Sequence, residues 1–161
     1  MAGNGPGIWV SGNLDSMAAT AGIPLALATN MKNAIILFFR YPRLGKVKTR
    51  LAEVIGAEKA LNLYRRSLQK TMRMVKAIPD CRVVFCVEPA RSVSLFRKTY
   101  EDIDIFAQKG ADLGERMKLA LEAVLKGGAD KAVLIGADIP GLSETILADA
   151  FQELDQHQVV L

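Results

Sequence analysis

From Asn33 onward, short apolar runs alternate with longer stretches in which apolar residues return every three or four positions, and this alternation limits the fold more than any single motif. The run "AIILFF" at 34–39 has no polar face, as expected of a strand covered on both sides. Over 57–77, Leu61, Tyr64, Leu68, Met72 and Val75 recur at helical spacing, while Lys59, Arg65, Arg66, Lys70, Arg73 and Lys76 fall mostly on other faces, which predicts an amphipathic helix. "RVVFCV" at 82–87 reads as a second buried strand, followed by a weaker helical stretch near 92–100 and a short strand "DIDIFA" at 102–107. The helical pattern then returns with Leu113, Met117, Leu121 and Val124 as its buried stripe; Asp112 with Glu115 opens it as in a capping box, and Gly127 and Gly128 close it. "KAVLIGA" at 131–137 is the fourth strand, and Ser143 caps a last helix with Leu147, Ala150, Phe151 and Leu154 facing inward. The β-α-β-α-β-α-β-α order predicts an α/β fold, a mostly parallel sheet with helices on both faces and right-handed crossovers.

A chain of 161 residues with 50% hydrophobic content suits one globular domain rather than a disordered segment. Cys81 and Cys86 are the only cysteines and His157 the only histidine, so no zinc-type cluster can be assembled. Lying five apart on one extended strand, the two cysteines are out of disulfide reach, which predicts free thiols and a reduced, cytoplasmic setting. No apolar stretch approaches the roughly 20 residues of a spanning helix, and no signal peptide is recognisable, so no membrane partner is expected. Residues 1–30 differ from the rest: rich in Gly, Ala, Asn and Ser, with Asp15 as their one charge, they read as a leader or linker outside the fold, with residues 31–161 forming the domain.

In an open parallel sheet, ligands bind outside the carboxyl ends of the strands, so the segments just after each strand carry the chemistry. Three stand out. "YPRLGKVKTRL" after the first run is densely basic; Gly45 permits a tight turn, and Lys48, Thr49 and Arg50 offer an ammonium, a hydroxyl and a guanidinium to phosphate oxygens. It is not a P-loop, because Arg40 stands where the first glycine is needed and Val47 follows Lys46. The competing reading is a solvated basic turn. In "QKGADLGERM", Gln108, Asp112, Gly114 and Arg116 surround a predicted helix start, where free amides favour a negative ligand. There Gln108 could read a base edge, or Asp112 could simply cap the helix and Arg116 pair with a surface acid. In "LIGADIPGL", Asp138 ends a buried strand, a suitable position for Mg²⁺ or Mn²⁺ bridging phosphates, or for an ordinary loop carboxylate.

Together, "FFRYPRLGKVKTRLAEVIGAEKALNLYRR", "QKGADLGERM" and "VLIGADIPGL" resemble the successive motifs of a bacterial family of GT-A-like transferases, the arsenosugar-biosynthesis or selenodomain-associated glycosyltransferases, over residues 33–161. The resemblance implies a nucleotide-diphospho-sugar transferase fold, related to nucleotidyltransferases whose N-terminal loop carries a Lys and Arg pair matching Lys48 and Arg50. It also implies Asp138 as the metal-binding acid, with Gln108 and Asp112 where the nucleotide is held. The family continues beyond "QVVL" with a Gly-rich segment and further helices, so residues 31–161 are expected to be its N-terminal, nucleotide-binding part. The implied reaction is metal-dependent transfer from a nucleotide sugar to a small-molecule acceptor, with no residue assigned as catalytic. The alternatives are nucleotidyl transfer from a nucleoside triphosphate to a small phosphorylated acceptor, and a truncated inactive homologue. A nucleic-acid partner is disfavoured, because no aromatic residues interleave the basic loop beyond Tyr41.

Overall fold

The computed structural model describes residues 7–11 and 31–160. Six strands form one sheet in the order β4-β3-β2-β5-β1-β6, comprising β1 (Gly7–Ser11), β2 (Asn33–Arg40), β3 (Cys81–Glu88), β4 (Asp104–Ala107), β5 (Lys131–Gly136) and β6 (Val159–Val160). β2 lies parallel to both β3 and β5, and β3 parallel to β4, which gives the parallel α/β core expected from the alternation. The helices are α1 (Thr49–Ile55), α2 (Ala57–Ala77), α3 (Val93–Arg97), α4 (Leu113–Lys126) and α5 (Glu144–Glu153).

The central strand explains its own composition. Ile35, Leu37 and Phe39 of β2 point into one core, with Leu61, Tyr64, Leu68, Met72 and Val75 of α2 and Leu147 and Phe151 of α5. Ala34, Ile36 and Phe38 point into the other, against Ala120, Leu121 and Val124 of α4. Because side chains alternate across a strand, a strand buried on both faces must be apolar at every position. Among the described residues no helix is long and apolar enough to cross a membrane.

Several expectations are corrected. Gly7–Ser11, within the segment read as a leader outside the fold, forms β1, which pairs antiparallel with β5 from Gly7 opposite Ile135 to Ser11 opposite Lys131. Ile8, Trp9 and Val10 favour extended backbone, a signal too short to stand out in a segment without period. Residues 1–6 and 12–30 of that segment lie outside the described residues. α1 occupies part of the stretch read as a basic loop; it buries no residue, so it leaves no apolar stripe in the sequence. The strand expected at 102–107 starts at Asp104, and the weak helix near 92–100 is a 3₁₀ turn at Ala90–Ser92 running into α3. Leu113, expected to be buried, is 63% exposed, at the first position of α4 and on the wall of a cleft.

Candidate functional site

The chain moves outward from β2 to β3 and β4, then returns to place β5 on the other side of β2. The carboxyl ends of β2 and β5 are therefore neighbours whose onward connections diverge, which opens a crevice between them. A cleft of about 570 Å³ lies there, walled by the segment after β2, the ends of β3 and β5, and the start of α4.

α2 fixes the cleft floor. The Tyr64 hydroxyl donates to the Arg40 carbonyl and accepts from the Arg40 amide, both at 3.0 Å, and Thr71 Oγ1 donates to the Ala137 carbonyl at 3.1 Å. One helix thus ties down the ends of both strands. Burial pushes the Tyr64 phenol up to about 12, the Arg40 amide opposes that shift, and the nearby Asp138 carboxylate adds to it, so Tyr64 stays neutral and serves as a clamp.

Asp138 lies two residues past the end of β5 and its carboxylate forms an ion pair with Lys48 Nζ. Lys48 itself adopts the left-handed conformation (φ 49°, ψ 43°) at the start of α1, where its side chain makes no cap. The second acid of the cleft, Glu88 at the end of β3, is held by Arg40 Nε at 2.9 Å and Arg116 Nη1 at 3.3 Å. Lys46 also lines the cleft and has no ion pair among the described residues. Four cationic side chains face two carboxylates, a balance that suits an anionic ligand.

Of the residues singled out by sequence, Lys48, Thr49, Gln108, Arg116 and Asp138 line this cleft, whereas Gly45, Arg50, Asp112 and Gly114 lie outside its lining. Arg50 belongs to α1, two residues beyond Lys48, and residues so spaced point to different sides of a helix. Asp112 Oδ1 accepts from the Glu115 amide at 2.8 Å, the capping reading of that acid. Gly45 has φ 67° and turns the basic loop. Gln108 Nε2 donates to the carbonyls of Phe39 and Cys86 at 3.2 and 3.0 Å, so its amide group spends both donors on the strand ends, and only its carbonyl oxygen remains to meet a base. Arg40, Lys46, Tyr64, Glu88 and Leu113 line the cleft without having been chosen from sequence. Glu88 was findable by the rule that picked the other segments, since it ends the second strand.

A second cleft of about 490 Å³ adjoins the first, sharing Arg40, Lys46 and Glu88 and adding Tyr41, Arg43, Arg91 and Leu95. Among the described residues no group of three or more His, Cys, Asp or Glu could hold a metal ion. Asp138 is a single, partly exposed carboxylate, enough for Mg²⁺ or Mn²⁺ that arrives with phosphate oxygens supplying the other ligands, and too little for a cage made by protein alone.

A crystal structure from Desulfovibrio desulfuricans, described as a "putative nucleotide-diphospho-sugar transferase", superposes with a TM-score of 0.70 at 35% sequence identity over 77% of this chain. The match spans 55% of that protein, so this chain corresponds to about half of its length. No curated protein matches the sequence. The fold is therefore that of a nucleotide-diphospho-sugar transferase neighbour, and residues 71–161 match the profile described as "Uncharacterized protein conserved in bacteria (DUF2064)", more than half of the chain: the protein belongs to that family.

Proposed function

We propose that the cleft between β2 and β5 binds the diphosphate of a nucleotide donor and that the whole protein transfers a glycosyl group from a nucleotide sugar to a small-molecule acceptor. The observation that carries this reading is the meeting of Lys46, Lys48, Arg116 and Asp138 at the diverging ends of two parallel strands. Lys46 and Lys48 reach phosphate oxygens as point charges, while Arg116, braced by its bond to the Gly110 carbonyl at 3.1 Å, presents a directed guanidinium. These charges offset the negative charge that grows on a departing nucleoside diphosphate, and Arg116, held by the Gly110 carbonyl and Glu88, needs little reorganisation to do so. Mg²⁺ or Mn²⁺ held by Asp138 would, when bound, add Lewis-acid neutralisation of the same oxygens. The resemblance to the arsenosugar-biosynthesis and selenodomain-associated glycosyltransferases supports the same chemistry, and buried thiols at Cys81 and Cys86 fit a reducing cytoplasm.

One observation favours the second reading, nucleotidyl transfer to a phosphorylated acceptor. The adjoining cleft carries Arg43 and Arg91, which have no ion pair among the described residues, as an anionic acceptor would require. Titration calorimetry with UDP, GDP, GTP and nucleotide sugars, with and without Mn²⁺, separates the readings. Tighter binding of a nucleotide sugar than of its nucleoside diphosphate supports glycosyl transfer, and preference for the triphosphate supports the second. Lys46→Ala is expected to weaken either ligand by about 1.5–3 kcal/mol, the scale of a lost charged hydrogen bond. Binding of no nucleotide by the folded chain, or undiminished binding by Lys46→Ala, would remove the cleft from consideration.

A further inference from the structure

Asp138 and Lys48 are unequal partners. Asp138 is anchored: the preceding residue, Ala137, donates its amide to the Phe38 carbonyl at 3.1 Å, and its carbonyl accepts from Thr71 at 3.1 Å. Lys48 brings its ammonium on four flexible carbons, and the pair is about one-third exposed on both sides, where such contacts are weak. Glu88, the other carboxylate among the described residues that line the cleft, is bridged by two guanidinium groups and has no partner that can leave so simply. Lys48 also holds a left-handed backbone at the first turn of α1, a conformation unfavourable for a lysine, and Asp138 is the partner its side chain reaches from there.

We infer that Lys48 and a divalent cation are alternative counter-ions of the Asp138 carboxylate, and that an incoming phosphate group draws Lys48 off Asp138 and so opens that carboxylate to the cation. The inference deepens the donor-cleft reading and rests on it. Without phosphate, a cation must displace an ammonium already in place; with phosphate, the ammonium has a second anion to neutralise. The two ligands therefore reinforce each other through one side chain, and by linkage each raises the affinity of the other by the same factor.

Two reciprocal measurements on the whole chain test this. Mn²⁺ binding alone, weak on a lone carboxylate and therefore read at high ion concentration from the loss of the free-ion electron spin resonance signal, is expected to be at least ~5-fold tighter in Lys48→Met than in the parent, and to be lost when Asp138→Asn is added. Lys48→Gly, which removes the ammonium and suits the left-handed backbone, is expected to behave as Lys48→Met does, so a folding defect in one variant is exposed by the other. Inorganic pyrophosphate in the presence of EDTA is expected to bind Asp138→Asn several-fold tighter than the parent, with the gain absent when Lys48→Met is also present. Unchanged Mn²⁺ affinity in both Lys48 variants, or a pyrophosphate gain that survives without Lys48, overturns the exchange while leaving a nucleotide-binding cleft intact. Failure of every variant to bind pyrophosphate or nucleotide overturns the cleft reading together with the exchange.

Discussion

Gly110 sits where the strand β4 segment meets the first turn of α4, at φ 135°, and a Cβ built there would lie 2.7 Å from the Arg116 amide nitrogen. Backbone cannot yield to that contact, so Gly110→Ala is expected to lower stability by roughly 2 kcal/mol or more and to displace Arg116 from Glu88. A lowered urea midpoint together with weakened nucleotide binding checks both effects. The two thiols give a pH dependence. Burial pushes Cys81 and Cys86 from 9.0 up to about 12, so the folded state keeps protons that the unfolded chain releases. Stability from these groups is fully present below pH 9 and declines as pH rises toward 12. Urea midpoints at pH 8 and 10.5 should therefore fall, and fall less in the Cys81→Ala, Cys86→Ala double variant. At this scale the sequence was readable wherever a residue follows a strand, as Lys48 and Asp138 do. It was not readable for Arg50, because the direction of a side chain depends on α1, which the pattern concealed.

At the scale of elements, α2 is both a core helix and the brace of the cleft. Its buried stripe was visible as a 3.6-residue period, yet that period says nothing of what Tyr64 and Thr71 bond to, since their acceptors, at the end of β2 and just past β5, are 24 and 66 residues away. Tyr64→Phe keeps the ring in the core and strips Arg40 of both backbone partners, which predicts a loss of about 1–2 kcal/mol from unsatisfied polar groups. Because Arg40 also holds Glu88, nucleotide affinity should drop as well; calorimetry on a variant shown to be folded by circular dichroism reads this directly. An unchanged urea midpoint would mean that water replaces the hydroxyl without loss. α5 was legible down to its cap, since Ser143 Oγ accepts from the Ile146 amide at 3.3 Å, whereas α1 was missed because a helix that buries nothing obeys no apolar period.

For the molecule as a whole, the parallel arrangement was implicit in the order of runs, whereas the antiparallel addition of β1 was not, since nothing in a five-residue segment announces a partner more than a hundred residues away. β1 covers the edge that β5 would otherwise present, so a chain starting at Met31 is expected to show a lower urea midpoint and increased self-association by light scattering, as an uncovered strand edge invites pairing between molecules. Equal midpoints and an unchanged scattering mass would return residues 7–11 to the status of an appendage. β2 also sets an order in time. It pairs with β3 across about 50 residues of chain, from Asn33 opposite Cys81, but with β5 across about 100, from Asn33 opposite Lys131, and the longer closure carries the larger entropic cost. The cleft is the space between the ends of β2 and β5, so it cannot exist until the most distant of the parallel pairings has formed. A nascent chain is therefore expected to form its central ribbon first and the cleft between β2 and β5 last, so that a complete cleft marks a parallel core that has finished assembling.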